Sequence, residues 1–114
     1  MEWLARPGVL WSLTGLVALT FFAAGAGKVF AIKPSPENFA RWELSPTIMR
    51  AVGAAEILGA MGLLIPRAAP FAAVGLCLLM LGAIRTGVAY REPLHVALPA
   101  VLIALLALVV YARI

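Results

Sequence analysis

Lys28, Glu56, Arg85, Thr86 and His95 stand in or beside long apolar runs, and they are the side chains of this sequence best able to do chemistry. Glu56 lies near the middle of TIMRAVGAAEILGAMGLLI, residues 47–65, a stretch apolar enough to cross a bilayer. An ionisable group at that depth costs about 2.5–3.5 kcal/mol on insertion scales, so it needs a partner or a task. Lys28 and Arg85 are the cations at matching depth. With them, Glu56 could act as a general acid or base while the two cations stabilise a developing oxyanion. The cluster would carry excess positive charge and receive an anionic or strongly polar group. The same three residues could equally be an interhelical clamp. Arg50 shares a segment with Glu56 but stands six positions away, about 240° around a helix at 100° per residue. It is therefore expected to face elsewhere and snorkel.

Other chemistries find no support. His95 has no second His or Cys at ligand spacing, so no metal site is expected. There is no Ser-His-Asp pattern, phosphate-binding glycine loop or paired carboxylate motif. Cys77 is the only cysteine, which rules out an intrachain disulfide and leaves no dithiol pair.

The elements that must position these residues are membrane helices. Of the 114 residues 64% are hydrophobic and only 12% charged, with a mean hydropathy of +1.04, far from the soluble range of roughly 45–50% apolar and about 25% charged. The net charge of +4 comes from basic residues scattered singly at the ends of apolar segments, as on membrane-helix flanks, so nucleic-acid binding is not expected. About 20 helical residues span the hydrocarbon. Four segments meet that length, at about residues 8–31, 46–65, 70–89 and 93–111, with Trp3 and Trp11 as interfacial anchors of the first. Arg6 before an apolar run and Ala24-Gly25-Ala26 imitate a secretory signal. Because further spans follow, that run is read as a retained first helix. Ser45 and Pro46 form a helix start, and Pro99 should bend or loosen the fourth span.

Loops at 66–69 and 90–92 are too short for anything but antiparallel neighbours. The expected fold is therefore an all-α integral membrane up-down four-helix bundle, one domain over residues 1–114. In the longer connection, residues 32–44, Lys33-Pro34-Ser35-Pro36 breaks the first helix. Residues 37–43 can then form a short interfacial helix, with Phe39 and Trp42 on one side and Glu37 and Arg41 on the other. Ala51, Ala55 and Gly59, and likewise Gly75 and Gly82, lie on helix faces suited to close packing, in the bundle or in a homo-oligomer. Alternating direction brings Lys28, Glu56, Arg85, Thr86, Tyr90, Arg91, Glu92 and His95 into one half of the membrane, nearer the long loop. Basic residues in the loops tie between the two sides and do not orient the chain.

The order of these features resembles the DoxX-like family of small four-helix bacterial membrane proteins. The resemblance rests on FFAAGAGKVF with Gly25 and Lys28, FARWELSP, AAEILGAMGLLIPR with Glu56 and Gly59, and LLMLGAIRTG with Gly82-Ala83. It covers nearly the whole chain. In relatives a histidine often follows that Gly-Ala where this chain has Gly87; here the only histidine is His95. The resemblance implies multi-pass residence in the bacterial inner membrane and a link to quinones or redox partners, without establishing an enzyme. No cofactor is otherwise called for.

Three functions follow. The first is an accessory or scaffold subunit of a membrane complex, redox-linked if the family is a guide. The second is a binder or enzyme for a lipophilic quinone- or isoprenoid-like substrate, with Lys28, Glu56, Arg85, Thr86 and His95 around its polar head. Proton or ion translocation ranks last, because the other half of the membrane offers no polar relay.

Overall fold

Proline sets the start of every long helix, where its missing N–H leaves no helical acceptor unpaired. The computed structural model describes residues 6–33 and 35–113, so the expected anchor Trp3 and the breaker Pro34 lie outside the described residues. The helices are α1 (Pro7–Val29), α2 (Ser35–Arg41), α3 (Pro46–Leu63), α4 (Ala69–Ala89) and α5 (Leu94–Arg113). Ser45 caps α3, its hydroxyl accepting from the Ile48 N–H at 3.2 Å. Pro99 sits inside α5, which continues through it.

The four long helices run alternately up and down in the ring order α1, α3, α4, α5, and α2 crosses one end. This is the all-α bundle with a short second helix that the sequence predicts. Its long dimension of 44 Å matches a bilayer with its headgroup layers, about 40–45 Å. The interior is narrow: Val17, Phe21, Leu63, Leu76, Leu106 and Val109 fill it, with Thr14 and Glu56 as its buried polar members. Leu19, Leu58, Phe71, Leu81 and Val101 all point outward. An apolar belt of this kind suits lipid rather than water. The protein is a multi-pass membrane protein.

Three helices, Pro7–Val29, Ala69–Ala89 and Leu94–Ala112, are long and apolar enough by themselves to cross a membrane. The fourth expected span, α3, is not among them. It has 18 residues and carries both Arg50 and Glu56. It nevertheless lies antiparallel between α1 and α4 in the same bundle, with Glu56 turned inward and Arg50 exposed.

Close approach is confined to a few glycines. A β-carbon at Gly25 would lie 2.5 Å from the Gly53 carbonyl oxygen, and one at Gly53 would lie 2.6 Å from that of Gly25, so α1 and α3 touch backbone to backbone. Gly59 and Gly62 admit Leu76 and Ala72 of α4 in the same way. Gly75 and Gly82, expected to form a packing face, meet nothing within 4 Å. Ala51 is exposed, so the contact face of α3 is the Gly53 face instead.

Candidate functional site

The glycine contact between α1 and α3 also sets the site. Lys28 follows Gly25 by three residues and Glu56 follows Gly53 by three, a spacing that keeps each on the contact face of its helix. Lys28 Nζ consequently lies 2.8 Å from Glu56 Oε1. Glu56 is 1% exposed, while the lysine side chain keeps 20% of its surface. The contact is ionic, and Oε1 receives no donor in hydrogen-bond geometry among the described residues. The pair is neutral as a unit.

Above the pair, three helices stop in the same manner. Ala31, Glu43 and Arg91 have φ of 52°, 59° and 54°, in the left-handed region, each two residues beyond the end of α1, α2 and α4 respectively. At each stop the following N–H reaches back to a carbonyl of the last turn: Ile32 to Gly27 at 2.8 Å, Leu44 to Phe39 at 2.9 Å and Glu92 to Gly87 at 2.9 Å. These are Schellman motifs, which glycine usually ends. They aim α2 across the bundle and fix Glu92 at the turn into α5.

Glu92 then ties α2 to the α4–α5 turn. Its Oε2 accepts from Arg41 Nε at 3.2 Å and from Trp42 Nε1 at 2.6 Å, and its Oε1 accepts from Arg41 Nη2. His95 Nδ1 is 3.2 Å from the same Oε1, and the Tyr90 hydroxyl donates to the Trp42 carbonyl at 3.0 Å. The donated bonds from Arg41 and Trp42 hold the Glu92 carboxyl below the usual carboxylate range, and Glu92 in return raises Arg41. Paired this way, the two stay charged together. Phe39 and the Trp42 ring pack at 5.3 Å, and Trp42 stands edge-on to His95 at 5.1 Å.

Beneath α2 lies a cavity of about 420 Å³ bordered by all five helices. One end is polar, with Lys28, Glu56, Ser35, Asn38, Thr86 and His95. The rest is apolar, walled by Ala24, Val52, Leu79, Met80, Ala83, Pro99 and Leu102. Leu78 and Leu98 also border it and are 64% and 53% exposed, so the apolar part communicates with the lipid-facing surface. Sites for small molecules run from about 300 to 1,000 Å³ and are mostly apolar with a few placed polar groups.

Lys28, Glu56, Thr86 and His95 thus share one cavity, whereas Arg85 does not. Arg85 is exposed and borders neither the ion pair nor the cavity, although its neighbour Thr86 does. Without Arg85 the expected excess of positive charge is gone. Asn38 and Trp42 also border the cavity, and Glu92 holds Trp42 from outside it; none of the three is among the site residues the sequence singles out. The pattern of an interfacial helix pointed to Trp42, but nothing in spacing links Arg41 to a glutamate 51 positions away. Among the described residues no group of three His, Cys, Asp or Glu is placed to hold a metal ion.

Residues 12–109 match the DoxX-like family. The chain belongs to that family. No curated protein and no solved structure matches it. In this DoxX-like protein the geometry leaves no room for a side chain at Gly87: a β-carbon there would lie 2.7 Å from the His95 carbonyl oxygen. Pro99, lacking an N–H, cannot donate to that carbonyl from within α5. The α4 and α5 backbones close on each other at this point instead, and the imidazole enters the cavity from α5.

Proposed function

We infer that this DoxX-like protein binds a lipophilic molecule with a small polar head, of the quinone or isoprenoid kind, in the cavity beneath α2. The observation that carries this reading is the cavity's two-part lining. A buried Lys28–Glu56 pair stands at one end, and an apolar channel leads to the lipid face at the other. A clamp alone would need packed side chains around the pair rather than about 420 Å³ of space. An amphiphile would enter from the bilayer tail-last and seat its head between Lys28, Asn38 and His95. Residence in a bacterial inner membrane accords with family membership and with quinone as the ligand.

The test is a quenching titration of protein fluorescence with a decyl-tailed benzoquinone in detergent, since Trp42 borders the cavity. Saturable quenching is expected for the wild type, and its loss in the cavity-filling variant Ala83→Phe. Equal, non-saturating quenching of both proteins would dismiss the reading.

A role as accessory subunit of a membrane complex, redox-linked or not, is the second reading. It is supported by the brevity of the described segments between the long helices, which leaves α2, tied by Glu92 to the α4–α5 turn, as the chief described surface outside the lipid. Detergent pull-down that returns a defined stoichiometric partner would favour it; recovery of the chain alone, or of its homo-oligomer, would count against it.

A further inference from the structure

The polar end of the cavity contains one side chain whose hydrogen-bonding sense is set by a neighbour. Glu92 can only accept when ionised, and its two oxygens already take donors from Arg41 and Trp42. For His95 Nδ1 to lie 3.2 Å from Glu92 Oε1 favourably, Nδ1 must carry the proton. A neutral imidazole then presents a lone pair at Nε2, on the ring edge turned away from Glu92. His95 borders the cavity, and among the described residues its Nε2 has no protein partner. Trp42 stands edge-on to the imidazole at 5.1 Å.

The facing wall has the opposite sense. Lys28 is a pure donor, and Asn38 uses its Oδ1 to accept from Arg41 Nη2 at 3.0 Å, which leaves its amide NH2 to donate. Glu56 beside them adds a second acceptor and cancels the charge of Lys28, so the site offers an anion no net attraction.

We propose that the Glu92–His95 pair makes this a site for a hydroxyl-bearing lipophile, a phenol or long-chain alcohol, whose O–H donates to His95 Nε2 while its oxygen accepts from Lys28 or Asn38. Glu92 is a positioning residue: it touches no ligand and acts by fixing the histidine tautomer. A carboxylate or phosphate head is disfavoured, because the lysine's charge is already matched by Glu56 and an ionised head has no proton to give His95. An ether can accept from Lys28 but has nothing to give His95. This inference rests on the cavity-binding reading above, and the experiment separates the two.

The probes are 4-nonylphenol and its methyl ether, titrated into the detergent-solubilised full chain. A net hydrogen bond of about 0.5–1.5 kcal/mol predicts roughly a two- to tenfold preference for the phenol. That preference should disappear in His95→Phe with ether binding retained, and return in His95→Gln, whose amide oxygen can accept. In Glu92→Gln the amide can donate to Nδ1, so the preference should fall or reverse together with a change of the histidine to the Nε2–H tautomer, which release of α2 alone would not produce. Since His95 is the only histidine, ¹⁵N NMR of histidine-labelled protein reads its tautomer directly, and the Nδ1–H form is expected. Equal binding of the two probes, or an Nε2–H tautomer in the wild type, overturns the proposal while leaving the cavity reading in place. Failure of both probes to bind the wild type removes the cavity reading and this inference with it.

Discussion

Replacing Lys28 with methionine removes the cation from Glu56 while keeping much of the lysine's length. At 2.8 Å and an effective dielectric of about 20, the attraction lost is about 6 kcal/mol. Part of this is regained, because the methionine no longer needs solvation and the carboxyl can take up a proton. Breaking a buried pair from one side typically leaves a net loss of about 3–5 kcal/mol. Substituting both partners, Lys28→Met with Glu56→Leu, removes the desolvation of both charges and should restore stability to near the wild type or above it. The assay is reversible denaturation in mixed micelles, run as a four-protein double-mutant cycle, with a quinone titration alongside. The single variants should be strongly destabilised and the double variant stable, yet the double variant should bind the lipophile weakly because the ion pair at the polar end of the cavity is gone. A Lys28→Met protein as stable as the wild type would refute the reasoning, as would a double variant no better than either single one.

Further substitutions have opposite expected signs. Gly25→Ala should destabilise by about 1–3 kcal/mol, since its new carbon meets the Gly53 carbonyl oxygen. Gly15→Ala, where nothing lies within 4 Å, should stabilise by about 0.5–1 kcal/mol, and thermal melts compare the two directly. Ala31→Gly should raise the melting temperature: it relieves a left-handed conformation worth about 1–2 kcal/mol, offset by about 0.4–1 kcal/mol of unfolded-state entropy. Glu92→Gln should release α2, seen as faster hydrogen exchange over residues 35–44 with the rest of the bundle unchanged. Because the Glu92 carboxyl is lowered, its contribution is complete above the ordinary carboxylate range and is lost as pH falls through that lowered value. Wild type and variant should therefore exchange alike only in acid, after correction for intrinsic rates.

Depth in the membrane was legible in the sequence; azimuth was not. Helix count and alternating direction place Lys28, Glu56, Arg85 and His95 in one half of the bundle by counting residues alone. Which way each points depends on how a helix is rotated, and one residue is worth 100°. Arg85 and Thr86 show the consequence, one exposed and the next bordering the cavity. Relative azimuth is fixed where two residues share a helix, as for Arg50, exposed, and Glu56, turned inward. Small-residue spacing was ambiguous for the same reason: Gly59 and Gly75 both sit in the expected packing patterns, and only Gly59 meets a neighbouring helix. The Arg41–Glu92 contact was out of reach, because the two residues belong to segments that only the three Schellman stops bring together. The low apolarity of α3 has the same physical origin as the site. A helix that carries the buried carboxylate must look less like a membrane helix than its neighbours.

That Glu56 is matched by Lys28, and not by Arg85, has a consequence for biogenesis. A chain is synthesised from its N-terminus. By the time α3 leaves the ribosome, α1 is already available to the membrane with its lysine in place, whereas α4 has yet to emerge. The least hydrophobic helix therefore meets its counter-ion on arrival, and the Gly25–Gly53 contact gives the two segments a surface on which to dock before the rest of the bundle exists. Insertion of α3 becomes an assembly step with α1 as its template, and a chain truncated after α3 already holds the ion pair that its integration requires.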